Sequence, residues 1–220
     1  VCPFLTAMCA KACLYNSGRA DFTPSIPAAR QWRTNLLFNE KPEFMRLLRS
    51  GLVNHERKAA KLKRKPAFRL NTTSDIRWDV MGIMEEFPNI RFYDYTKWPY
   101  AKRPNSSLPA NYHLTFSRSE LTTDAEIHES IDNGRNVAVV FSTKRGHPLP
   151  EKYLGYNVID GDLHDLRFLD PVGVIVGLRF KKNSKAPTAD GFVVDVATLE
   201  CPKPTAQCNA RDLISSGHGR

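Results

Sequence analysis

The sequence predicts an α/β fold of parallel βα units forming a partial or distorted TIM-like barrel, with a cysteine-bearing segment at each end. Three observations lead there. Past residue 20, apolar positions at helical spacing alternate with short β-branched and aromatic runs. Residues 137–141 are nearly all apolar, as a parallel strand covered on both faces must be. Finally, the strand-like runs end in polar bursts, the pattern of groups gathered at the carboxyl ends of parallel strands.

The elements follow in order. Thr23 caps a helix whose first position is Pro24 and whose apolar residues are Ala28, Ala29, Trp32 and Leu36. A second helix starts near Lys41 and Pro42, turns Phe44, Leu47, Leu48, Leu52 and Val53 inward, and is stopped by Pro66. Strand-like runs occupy 67–70, 90–93, 112–116, 136–141, 156–159, 174–178 and 192–194. Between them, 75–87 (Ile76, Val80, Ile83, Met84) and 123–133 (Ala125, Ile127, Ile131) read as helices, the latter ended by Gly134. Residues 103–109 and 181–191 read as polar loops. The expectation is one domain over 1–220, its ends (1–20 and 197–220) packed together.

Composition narrows the function. At 41% hydrophobic residues the 220-residue chain can bury a sizeable core, but no apolar run approaches the ~20 residues that span a bilayer. The opening Val1-Cys2-Pro3-Phe4 has neither a charged region nor a long apolar one, so a cytoplasmic protein is expected. A net charge of +9 suits an anionic metabolite, an acidic partner or nucleic acid. The charge is concentrated once, at Arg57, Lys58, Lys61, Lys63, Arg64 and Lys65, where it also complements a helix C-terminus.

Cysteine is the most specific signal. The pattern Cys-Pro-x-x-Thr-Ala-x-Cys occurs at Cys2–Cys9 and again at Cys201–Cys208, and with Cys13 these are all five cysteines. An odd count, with none from Leu14 to Glu200, argues against disulfide stapling and for thiolate ligation in a reducing compartment. In a helix, Cys9 and Cys13 lie at i and i+4 on one face. The six-residue gaps are wide for zinc knuckles, whereas three cysteines suffice for a [4Fe–4S] cluster with one open iron. Cys2, Cys9 and Cys13 are therefore the expected cluster ligands. Cys201 and Cys208 are left as a fourth ligand, a separate metal site or a pair that oxidises, and zinc remains the alternative metal.

The polar bursts supply candidate reactive groups. They include Asn71 to Asp75, Asp94 to Lys97, Ser117 to Glu120, Ser142 to Arg145, and Asp160 to Asp165. Single positions read equally as helix caps and turns. Together, Lys97, Arg118 and Lys144, with Asp94, suggest a rim that receives a carboxylate or phosphate. The acidic group Asp160, Asp162, His164, Asp165 and Asp170 could hold a hard divalent ion, although its spacing is not that of an EF-hand. His113 reads as a satisfied interior residue. There is no nucleophile elbow, dinucleotide fingerprint or phosphate loop.

Several segments resemble the phage gene product 88 family. They are Cys2-Pro3 with Cys9, Cys13, Leu14-Tyr15 and Gly18-Arg19; Ala29-Arg30 with Arg33-Thr34; Ser74-Asp75-Ile76; 92–97; and 112–117. Asp160-Gly161-Asp162, 165–168, Asp170-Pro171 and 176–178 extend the likeness along nearly the whole chain. The resemblance implies a viral protein made in a bacterial cytoplasm. A looser likeness to radical S-adenosylmethionine enzymes stops at the cysteine spacing, C-x6-C-x3-C here against C-x3-C-x2-C there, and no Gly-Gly-Glu run is present. The combined expectation is an iron–sulfur protein acting on a small anionic molecule such as a nucleotide precursor. The alternative is a thiolate-metal protein that binds nucleic acid or belongs to the virion.

Overall fold

A computed structural model describes residues 2–16, 23–181 and 190–199. Eight strands make one mixed sheet: β1 (Ala67–Phe68), β2 (Arg91–Thr96), β3 (Tyr112–Ser117), β4 (Val137–Phe141), β5 (Lys152–Tyr153), β6 (Tyr156–Asp160), β7 (Ile175–Arg179) and β8 (Val193–Val194). Their spatial order is β1-β2-β3-β4-β7-β6-β5. The short β8 pairs with Val140 and Phe141 of β4, beyond the point where β3 leaves it. Only the β5–β6 pair is antiparallel.

The sheet is open, so the TIM-like barrel is wrong. Its two edges are two-residue strands, and β5 runs antiparallel to its neighbour; closure would need long parallel edges that meet. The expected helix ring is also missing. Of the four described α-helices, α1 (Ala7–Ala12), α2 (Ser25–Asn39), α3 (Lys41–Lys61) and α4 (Asp124–Asp132), only α4 joins two neighbouring parallel strands. Prolines 99, 104 and 109 lie in the β2–β3 connection, which is built of short 3-10 turns. The helix expected over 75–87 is reduced to a 3-10 turn at Trp78–Val80. There the Asn71 side-chain oxygen accepts from Ser74 Oγ, Ile76 N and Trp78 Nε1, a local alternative to helical bonding. Gly82, at φ +74°, ends any helical continuation.

The helices that do form have local causes. In α3, Met45, Leu52 and Ala59 recur every seventh residue and are the buried stripe. In α4, Thr123 and Glu126 make a reciprocal capping box, and Gly134 takes the left-handed conformation after the helix. Strand alternation then puts Phe92, Leu114 and Phe116 on the face that packs these helices, with Leu52, Ile83 and Ile127 fully buried. On the opposite face Tyr93 meets Phe168, ring centroids 5.4 Å apart. No helix among the described residues is long and apolar enough to cross a membrane.

A polar cluster sits inside this packing. Arg103, from the loop after β2, has no solvent exposure. It donates to Asp79, to Asp75 and Thr96 Oγ1 at 3.4 and 3.3 Å, and to Tyr112 Oη at 3.3 Å. Tyr112 Oη in turn donates to Asp94 at 2.9 Å. Asp94 also accepts the Asn71 backbone N–H at 2.7 Å. Replacing Arg103 with Met leaves Asp75 buried without its paired cation and Asp79 with Arg77 alone, so urea unfolding is expected to show a loss of about 3–5 kcal/mol. An unchanged midpoint would mean that the cluster does not hold the fold.

Candidate functional site

The amino-terminal cysteine segment lies on the carboxyl edge of β2 and β3, and a carboxylate holds it there. Glu120, three residues past β3, accepts from Thr6 Oγ1 at 2.6 Å and from the Met8 backbone N–H at 2.7 Å. Thr6 is the N-cap of α1 and makes no cap of its own, so Glu120 supplies the anionic acceptor that this helix start lacks. Burial would raise the Glu120 pKa, but these hydrogen bonds outweigh it and hold the carboxyl below its ordinary value. A second anchor is aromatic. Phe4 packs edge-on against Trp98 at 4.8 Å, and the Lys102 ammonium lies over the Phe4 ring at 5.1 Å from its centre.

Docking in this way gathers sulfur. Cys9 is buried on α1, Cys2 and Cys13 are partly buried, and all three are free thiols. Burial raises the pKa of Cys2, with Asp75, Cys13 and Cys9 adding to the rise against the opposing pull of the chain's N-terminus. Burial also raises that of Cys9, where Cys13 and Glu120 add to it and the Lys97 ammonium opposes it by charge and hydrogen bonding. The three thiols thus share one electrostatic neighbourhood, with a cation beside the innermost. Among the described residues no three His, Cys, Asp or Glu side chains are drawn together as a finished metal-ligand set. Cys201 and Cys208 lie outside the described residues.

The expected rim residues divide. Lys97 and Arg118 come together at the ends of β2 and β3. Lys97 Nζ donates to Ser117 O at 3.1 Å and to Arg118 O at 3.3 Å, and lies over the Phe192 ring. Arg118 Nη1 donates to the carbonyls of Gly191 and Phe192, while its buried Nε has no partner among the described residues. Lys144 is exposed in the turn after β4. Asp94 is away from the rim, fully buried in mid-strand on the helix-packed face.

The acidic group near β6 is shared out among arginines. Asp160 and Asp162 pair with Arg179, Asp165 with Arg69, and Asp170 with Arg167. His113 is not satisfied as expected. Its Nε2 is buried without a partner among the described residues, and burial beside Arg91, Arg135 and Arg167 pushes its pKa down to about 4. Two residues that matter have no distinctive signal in the sequence. Glu120 is visible there only as part of a polar burst, and Arg103 only as the first residue of a polar loop.

Against the cysteine segment opens a cleft of about 360 Å³, bordered by Pro3, Asp75, Arg77, Trp98 and the α2–α3 junction at Phe38 and Lys41. The model of the family described as Gene product 88 matches residues 1–196. The chain belongs to the gene product 88 family. The match takes in both the docked cysteine segment and the sheet that receives it. No curated protein and no solved structure matches this gene product 88 protein.

Two expectations test the electrostatics of this gene product 88 protein, one at the site and one in the buried cluster beneath it. Replacing Lys97 with Met removes the cation that opposes burial at Cys9, so NMR of Cβ-labelled cysteine should show the Cys9 titration midpoint move upward. No movement would dissociate the two groups. Burial raises the Asp94 pKa to about 7 against an ordinary 3.8, with Asn71 and Tyr112 pulling the other way. Between about pH 4 and 7 folded Asp94 keeps a proton that the unfolded chain has lost, so stability falls as pH rises through that window. Asp94→Asn cannot lose a proton, and its urea midpoint should fall less steeply over the same range; a profile identical to wild type would contradict this.

Proposed function

We propose that the docked segment holds a thiolate-ligated metal centre at the carboxyl edge of the sheet. Its ligands are Cys2, Cys9 and Cys13, an iron–sulfur cluster of the [4Fe–4S] type is the group, and a small anionic molecule such as a nucleotide precursor is the substrate. The observation that carries the reading is the arrival of three soft donors on one segment fixed by Glu120, at the edge where open α/β sheets bind ligands. The donor chemistry suits such a group: three free thiols lie on one docked segment and feel one another's charge, while the nearby carboxylates of Asp75 and Glu120 are already engaged by hydrogen bonds. When bound, such a cluster supplies an open iron as Lewis acid or electron donor.

The chain's own groups prepare the place. Burial keeps the Cys2 and Cys9 thiols protonated, so ligation must release protons. Lys97 lessens that cost at Cys9. Lys97 and Arg118 lend positive charge to this edge, which favours an approaching anion. Free thiols and an exposed iron require a reducing compartment, which favours the bacterial cytoplasm as the place of action.

Anaerobic purification followed by reconstitution with iron and sulfide tests the proposal. The expected product is brown, contains iron and acid-labile sulfide, and loses both when Cys9 or Cys13 is changed to Ser. A colourless product holding only zinc would refute the cluster and leave a zinc–thiolate centre. A product that binds neither metal, with its thiols intact, would refute both.

A further inference from the structure

The carboxyl edge does not account for the chain's charge. Against a net charge of +9, six cations stand together at the end of α3: Arg57, Lys58, Lys61, Lys63, Arg64 and Lys65. All six are exposed. None makes an ion pair with a described residue, and Glu56 is the sole acid between Glu43 and Asp75. The first half of the same helix differs: there Arg46 pairs with Glu43 and Arg49 with Glu86. The unpaired cations lie just before β1, at the amino edge of the sheet and away from the cysteine segment.

The backbone concentrates them further. Lys63 N–H donates to Ala60 O and Arg64 N–H to Ala59 O, folding 63–65 back against the last turn of the helix. This leaves Lys63 at φ +53°, the left-handed conformation that glycine usually occupies at a helix end. A lysine at that position is conformationally unfavourable, and its side chain is exposed rather than packed. A role for the ammonium outside the chain accounts for a lysine where glycine would be easier.

We propose that this helix end is a docking surface for the phosphate backbone of duplex nucleic acid, bound without regard to sequence. Closely spaced, unpaired lysines and arginines complement a regular line of phosphates. Residues 53–66 contain no Phe, Tyr or Trp, so nothing there stacks on unpaired bases, and the one histidine, His55, is held on Ala67 O at 3.0 Å. Contacts are therefore to backbone rather than base.

The test is fluorescence anisotropy of the whole chain with a labelled 20-base-pair duplex over a range of salt concentrations. Binding is expected, with log K falling linearly against log salt. Changing Lys58 and Lys61 to Ala and Lys63 to Gly together should make the slope shallower by about 2.7, about 0.9 for each phosphate no longer neutralised. Lys63→Gly alone should weaken binding while unfolding at no lower temperature than wild type, which separates the role of the charge from that of the fold. A single strand of the same length should bind more weakly. No binding, a slope unchanged in the triple variant, a preference for the single strand, or equal competition by polyglutamate would overturn the proposal; the last would mark a surface for acidic proteins.

Discussion

The structure depends on one buried guanidinium. Arg103 has no solvent exposure, yet it joins the loop after β1, the end of β2 and the start of β3 through Asp75, Asp79, Thr96 and Tyr112. Where a helix would ordinarily cover and brace parallel strands, this chain has proline-interrupted loops. The loops are held by charge instead. The consequence reaches the site, because Asp75 Oδ2 also accepts the Lys97 backbone N–H at 2.7 Å. The same carboxylate that neutralises Arg103 thus fixes where β2 ends and where Lys97 points. A buried cluster of this kind contributes less net stability than an apolar core, but removing one member is severe.

On that edge the cysteine segment is held by interactions of a different kind. Glu120 caps α1 from another part of the chain, and Phe4 fills the space beside Trp98. Both anchors are at or near the start of α1, which lets a six-residue helix, too short to be stable alone, present Cys9 inward. Burial then does two opposed things. It shields sulfur from oxidants and solvent, and it raises the thiol pKa, which disfavours the thiolate that a metal needs. Lys97 is the counterweight.

Much of the sheet is legible in the sequence because buried parallel strands announce themselves as apolar runs: 137–141 and 174–178 are such runs, and both form strands. β5 is not legible. Lys152 and Tyr153 carry no pattern, and they are a strand only because Leu154 and Gly155, at positive φ, turn the chain back onto β6. The barrel expectation fails for a related reason. Ile76, Val80, Ile83 and Met84 have helical spacing, and nothing in that spacing reveals that Asn71 will take the local hydrogen bonds. At the site, the cysteines and the polar strand ends are readable as residue types. Their apposition is not, since it rests on Glu120 reaching α1 across more than a hundred residues of sequence.

The central proposal is that the three amino-terminal sulfurs, docked on the carboxyl edge, ligate one inorganic centre. X-ray absorption at the iron edge of anaerobically loaded protein addresses it most directly. A first shell of sulfur alone, with iron–iron scattering behind it, is the result this account predicts. A first shell of oxygen and nitrogen, unaltered when Cys2, Cys9 and Cys13 are replaced by serine, would contradict it.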